Sequence, residues 1–383
     1  MLQARAVVAA GLIGLASAAV VPAARADTTA WSRHGFDVDT ANVVRRSNIV
    51  LDRAPIQATQ SMPIGNGVLG AAVWARDGFT AQLERTDTFP TRRSPGQVVI
   101  PGLEAMASAS DYRATVDLYD AVYRQSGGGM TATTYVRADE DELVVDVTGA
   151  DPAGTQTAQV NLQAGRSPQA GASGRIARLA ETWVDNAPGA GGGGSGQTFG
   201  SLAAITAGGR DAAASVVDAR TAQVSFRPRA DGSFRVVVAS PEWTGGDADA
   251  TAKQLLAGDA ERDDRALANP HLRWWHDYWS RVGLIKLGSR DGVADYMENI
   301  RTIYLYVQAA SERGRLPGTQ AGVSSLFNFT RDNQQWGGGH FWFWNLRMQI
   351  AANLGAGVTD LNAPFFRLYR GNLDSSGRGR GCA

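Results

Sequence analysis

Two hydrophobic rhythms divide the chain, and the change falls near Trp243. Between about Val43 and Trp243, short runs with β-branched or alternating apolar residues stand between turn residues: GAAVWA, FTAQLERT, QVVIPG, TATTYVRA, ELVVDVTGA, TAQVNLQAG, AQVSFRPRA and SFRVVVAS. Period-two alternation marks half-buried strands. Many short strands without helical crossovers predict a β-sandwich rather than a parallel sheet. ADGS, between the last two runs, reads as a hairpin turn, and NAPGAGGGGSGQ, residues 186–197, as a flexible surface loop.

Beyond Trp243 the spacing becomes helical. DATAKQLLAGDAERDDRALA and NPHLRWWHDYWSRV read as helices, with Pro270 suited to the first turn of the second. In DGVADYMENIRTIYLYVQAASERG, Val293, Tyr296, Ile300, Ile303, Tyr304 and Val307 recur at three- and four-residue spacing, and Gly314 stops the helix. A loop of about 25 residues follows, of the length that compact domains reserve for function. Two more helices are predicted over FWFWNLRMQIAANLGAG and DLNAPFFRLYRGNL. These few helices leave apolar faces uncovered, so the helical region is expected to be incomplete.

The 383 residues, 44% of them hydrophobic, suffice for a sizeable core and two domains. Thirty-seven basic residues balance thirty-seven acidic ones, leaving no global field for nucleic acid or an anionic membrane. Arg5, an apolar run from Ala6 to Val21 and Ala24-Arg25-Ala26 read as a secretory signal over residues 1–26. A secreted or periplasmic bacterial protein is expected, with no membrane association after cleavage. Cys382 is the only cysteine, which excludes an internal disulfide and a thiolate metal site.

SMPIGNGVLGAAVW, residues 61–74, is a glycine-rich turn entering a strand, for which a structural role is favoured. LERTDTF follows, with Glu84 and a substrate-facing candidate in Asp87. The acids Asp139 to Glu142 lack the glycine-spaced oxygens of a calcium loop and read as a solvated hairpin tip. None of His34, His271, His276 and His340 has zinc-type spacing, and packing is the expected role of the middle pair. No GxSxG elbow, P-loop or dinucleotide fingerprint occurs, so no cofactor or metal is implied and any chemistry falls to carboxylates or amides.

NFTRDNQQWGGGHFWFWNLRMQ, residues 328–349, combines rings with hydrogen-bonding groups. Sugar sites use that mixture, an aromatic face against pyranose C–H bonds and polar groups on the hydroxyls. Asn328, Asp332, Trp336, His340, Trp342 and Trp344 are the substrate-binding candidates here, beside Asn333 and Asn345. A buried aromatic helix would account equally well for the rings. Gly337, Gly338 and Gly339 favour a site, since they let backbone approach a ligand.

In chain order, MPIGNGVLGAAVW resembles the PiGNGrlGamv signature of glycoside hydrolase family 95, the α-L-fucosidase and α-L-galactosidase group, and LERTDTF resembles its LnEdTlW strand. LPGTQAG resembles its LPaNLqG, and WNLRM, Trp344 to Met348, the iNlQM of its catalytic segment. The resemblance implies a supersandwich-like β domain over 27–245, a helical linker over 246–268 and an incomplete (α/α)6 barrel over 269–383. It also implies inverting cleavage of an α-linked oligosaccharide or polysaccharide, with a glutamic acid protonating the leaving oxygen while asparagines and an aspartate position water. Asn345 matches the second of those asparagines and is the catalytic candidate; the first falls at Phe343, and the family's glutamine at Arg347. The family's acid and aspartate belong to later barrel segments, so a truncated member with little or no turnover is expected. The alternative is a non-catalytic, lectin-like carbohydrate-binding protein.

Overall fold

The structure, a computed structural model, describes residues 31–32, 35–88, 92–186, 196–318 and 343–373. The chain divides into two units, Met1–Asp39 and Thr40–Ala383. In the first, Trp31–Ser32 pairs antiparallel with Gly35–Phe36. Everything below concerns the second.

A nine-stranded antiparallel sheet runs, in spatial order, Gln169–Ser173, Ile176–Val184, Thr198–Gly208, Phe234–Ala239, Glu142–Thr148, Met130–Val136, Val122–Gly127, Arg113–Asp117 and Ile49–Leu51. A seven-stranded sheet runs Arg210–Asp218, Thr221–Arg227, Gln156–Asn161, Gln97–Val99, Thr80–Arg85, Leu69–Trp74 and Met62–Gly65. Both predicted and unpredicted strands obey one rule: alternate residues enter the shared core, among them Ala71, Val73, Leu83, Val98, Val160, Val224, Val236 and Val238. FRVVVA lacks alternation because its strand is covered on both faces. Val236 and Val238 meet the main core, whereas Val237 and Ala239 pack beneath Ala252, Leu256 and Ala260.

ADGS is not a hairpin turn. It is tight, with Gly232 at φ 78 and its N–H on the Arg229 carbonyl at 2.9 Å, yet the strands it joins belong to different sheets. Turn chemistry fixes the reversal but not the layer that receives the next strand. The glycine-rich stretch 186–197 does join paired neighbours, Val184 opposite Thr198; its middle, 187–195, lies outside the described residues.

The helices are α1 (Thr40–Arg45), α2 (Glu104–Ala107), α3 (Ala248–Leu256), α4 (Asp264–Arg281), α5 (Val293–Ser311), α6 (Phe343–Gly355) and α7 (Ala363–Gly371). The predicted run from Asp249 to Ala268 is split. Asp247 caps α3 by accepting from the N–H groups of Asp249 and Ala250, Gly258 turns the chain at φ 89, and Asp263 caps α4. Pro270 therefore lies inside α4 rather than in its first turn.

The aromatic run on α4 is core. Trp275, Tyr278, Trp279 and, from α5, Tyr306 are buried in the cluster that fills the sandwich. Trp279 donates its indole N–H to the Leu118 carbonyl at 2.8 Å, Tyr278 its hydroxyl to Leu305 at 2.9 Å, and Tyr306 its hydroxyl to Pro63 at 3.0 Å. His271 and His276 belong to this packing. Both reach Asp120 at 2.9 Å, and burial pushes the His271 imidazole down to about 4.

The first half of the α5 stripe faces outward. Val293, Tyr296, Met297 and Ile300 are exposed, as are Phe343, Trp344 and Met348 of α6 and Phe366 of α7. No closed ring of helices is present among the described residues. None of their helices is long and apolar enough to cross a membrane.

Trp275→Ala removes a fully buried ring shared by the helices and the sandwich. Urea unfolding should show a loss of about 3–5 kcal/mol.

Candidate functional site

The Gly65-Asn66-Gly67 turn is a socket for the end of a helix. Asn66 Oδ1 accepts the N–H groups of Val68 and Leu69, both at 2.9 Å, which locks the turn. Its Nδ2 donates to the Glu140 carbonyl and to Asp141 Oδ1, both at 3.0 Å, which ties the turn to the neighbouring hairpin. Gly67, at φ 88, donates its N–H to the Ala310 carbonyl at 2.8 Å and accepts the N–H groups of Arg313 and Gly314 at 3.1 Å. A Cβ at Gly67 would lie 2.3 Å from Arg313 Cβ, and one at Gly65 2.6 Å from the Ala310 carbonyl. The glycines are required by that approach, so the structural role favoured for this motif holds.

Charge gathers around the socket. Arg85, 1% exposed, grips both oxygens of Asp87 at 2.7 Å, reaches Asp141 Oδ2 at 2.8 Å and donates to the Ser240 carbonyl. Arg137 binds Glu142 at 2.6 Å and Asp139 at 2.8 Å. The acids 139–142 do form a hairpin tip, and Asp139 and Glu140 are exposed on it, but the solvated reading is corrected for the other two: Asp141 is bound by Arg85, and Glu142 is buried against Arg137. Burial pushes its carboxyl up to about 7, with Arg137 opposing the shift.

Arg313 completes this wall. Its guanidinium sits 3.6 Å from the Trp274 ring centroid and donates to the Ala138 carbonyl at 2.8 Å. Burial draws its pKa down to about 10, against the opposing charges of Asp141 and Asp139. Together with Asn66 and residues 138–142 it lines a cavity of about 280 Å³.

Next to it lies the base of the aromatic segment. Arg92, buried, donates to the Pro317 carbonyl at 3.0 Å, and Glu312 accepts the Gly318 N–H at 3.1 Å. Burial holds the Glu312 carboxyl well above the ordinary range, with Arg92 opposing, and its other oxygen has no partner among the described residues. Leu346, Gln349 and Ile350 of α6 line the same small void as Glu312 and Pro317. Residues on both sides of 319–342 are thereby fastened at one place. Glu312, Arg92 and Arg313 were missed in the sequence because ERG and TRRS carry no motif; their importance comes from burial.

Of the sequence-derived candidates, Asp87 is taken up by Arg85, with a side chain only 8% exposed. Trp344 is 70% exposed on α6, with the Arg347 guanidinium 3.5 Å from its ring centroid, and Asn345 beside it is half-buried. The structure thus sets Asp87 in a buried ion pair and Trp344 on an open helix face. Asn328, Asp332, Trp336, His340 and Trp342 lie outside the described residues. Among the described residues, no group of three or more His, Cys, Asp or Glu side chains could hold a metal.

No protein-family model and no curated protein matches the chain. Solved structures do. The "Putative kojibiose phosphorylase from human microbiome" aligns with a TM-score of 0.50 at 9% identity, over 73% of this chain and 44% of that one. A bacterial glucoamylase complexed with acarbose aligns with a TM-score of 0.44 at 10% identity, over 86% of this chain and 54% of that one. The family GH92 glycosyl hydrolase ccman5 gives 0.43 at 12% identity, over 74% and 41%. The shared fold rests on the first of these, which covers 73% of this chain. The chain spans less than half the length of that phosphorylase.

Two outcomes follow. Gly67→Ala must strain a left-handed backbone position and separate the turn from Arg313, lowering stability by at least about 1–3 kcal/mol in urea titration. Glu142 binds its proton more tightly folded than unfolded, so its contribution is full below about pH 4.5 and declines as pH rises through about 7, and Glu312 is shifted in the same direction. The urea midpoint should fall between about pH 5 and about pH 8, and Glu142→Gln should flatten that fall.

Proposed function

We propose that this chain is a carbohydrate-active relative of the glycoside hydrolases that acts on α-linked sugars, an α-L-fucoside or α-L-galactoside by inversion. In this reading the sugar lies on the helical side. Asn345 contacts the attacking water, the rings of Trp336, Trp342 and Trp344 stack on the pyranose, and Asn328, Asp332 and His340 bind hydroxyls. Asp87, held by Arg85, is the substrate-binding candidate on the sandwich side. Export through the leader at 1–26 belongs to the same proposal, as does an oligosaccharide or polysaccharide as the partner.

The observation that carries the reading is the fastening of both flanks of the aromatic segment to a buried charged seam, by Arg92 at Pro317, Glu312 at Gly318 and the underside of α6. Binding sites need such preorganisation, because a ligand that must first order its site loses affinity. The fold likeness to a kojibiose phosphorylase supports the same class of ligand. The exposed ring of Trp344 offers a face for stacking, with Arg347 already showing that the face attracts a cation.

Phe343 and Arg347 stand where the resemblance implies an asparagine and a glutamine of the water-positioning set, so we expect little or no turnover. Release of a chromogenic leaving group from α-L-fucoside and α-L-galactoside measures it; robust inverting hydrolysis would sink that expectation. Oligosaccharide binding should persist without hydrolysis. Trp344→Ala should weaken it by about 0.5–1.5 kcal/mol in calorimetry, and an unchanged affinity would remove Trp344 from the site.

A further inference from the structure

The outer face of the smaller sheet carries a second, unassigned feature. The strands Leu69–Trp74, Thr80–Arg85, Gln97–Val99 and Gln156–Asn161 send Ala71, Val73, Ala81, Leu83, Val98, Ala158 and Val160 into the core. Their other face is then fixed by register, since residues directly opposite share a face. Trp74 stands opposite Thr80, Thr80 opposite Val99, Gln82 opposite Gln97, and Gln97 opposite Asn161. Next to them, Gln159 stands opposite Gln223. This face is rich in carboxamides, with an indole at one end.

The amides hold one another in place. Gln97 Nε2 donates to Gln82 Oε1 at 2.9 Å and Gln159 Nε2 to Gln223 Oε1 at 3.0 Å. Each donor keeps a second N–H and a carbonyl oxygen, so the ladder is preset but not exhausted. The indole N–H of Trp74 is buried and has no acceptor among the described residues.

Above Trp74, Thr80 and Gln97 lies an open groove of about 1370 Å³, walled by Ile56, Gln57 and Gln163. That exceeds the range of about 300–1,000 Å³ for pockets that take drug-sized ligands, and suits a chain rather than a single ring. The charges at the groove are few: Arg76 pairs with Asp77 at 3.6 Å, and Glu104 lies on α2. The lining sets Gln57, Gln97, Gln163 and Thr80 beside Ile56 and Trp74, a mixture that matches hydroxyl pairs and a C–H face.

We propose that this groove is a binding site for a neutral oligosaccharide chain, distinct from the helical side and able to hold a polymer without cleaving it. Gln97 and Gln163 contact hydroxyls, Trp74 forms the apolar end of the floor, and Ile56, exposed at the rim, covers the sugar's C–H edge.

The test is retention of the full chain on immobilised malto-, manno-, xylo- and galacto-oligosaccharides, with oligogalacturonate as the acidic counterpart. Retention on at least one neutral glycan is expected, weakened at least about tenfold by Ile56→Asp and by the double change Gln97→Ala with Gln163→Ala, each worth about 1.4 kcal/mol or more. Ile56→Asp alters an exposed position, so its effect cannot be laid to misfolding. Trp344→Ala should leave this retention intact, which separates the groove from the helical site. Retention on oligogalacturonate alone, no retention on any glycan, or neutral retention lost with Trp344→Ala but not with the groove variants would each overturn the proposal.

Discussion

The close approach of backbone to backbone at Gly67 is the constraint on which the rest depends. Three hydrogen bonds join this one residue to Ala310, Arg313 and Gly314, and no side chain fits between. The contact sets where α5 ends, and therefore where Arg313 meets Trp274 and where Glu312 enters the interior. Arg367 of α7 reaches the same place by donating to the Gly314 carbonyl at 2.8 Å. A shift here would misplace the helices and the base of the aromatic segment together. The charged groups around it are stabilised as a set: Arg85 without Asp87 and Asp141, or the reverse, would leave a buried charge uncompensated.

Much of the architecture was legible because it is written in local periodicity. The alternating runs that end near Thr148 and Asn161 became strands, and the stripe from Val293 to Val307 became α5. The strands at Arg113–Asp117, Val122–Gly127, Ile176–Val184 and Thr198–Gly208 were missed. ATVD and LAAITAG are small or mixed residues whose strand character comes from their neighbours in the sheet rather than from propensity. The break at Gly258 was visible only in hindsight, since helical patterns lie on both sides of it. The destination of the chain after ADGS was not legible at all, because two identical turns can lead to the same sheet or to the opposite one.

The candidate site divides along the same line. Asn66 and its glycines stood out because a turn with positive φ has a residue signature. Glu312, Arg92 and Arg313 did not, because burial of a charge is a property of the assembled fold. Asp141 and Glu142 misled for the opposite reason: a run of like charges suggests water, which Asp139 and Glu140 do meet, while Arg85 and Arg137 take the other two.

The crossing at ADGS has a consequence for how the protein is made. In the larger sheet, Phe234–Ala239 lies between Thr198–Gly208 and Glu142–Thr148, so it joins one antiparallel group drawn from residues 169–208 to another drawn from 49–148. During synthesis those two groups can each form hairpins, but they have no common strand until residue 239 has left the ribosome. Until then four edges stand open in solution, and pairing across them is decided by contacts far apart in sequence, which fold slowly and are exposed to mispairing. The last of the described β-strands to be translated is thus the one that turns two half-sheets into a single layer.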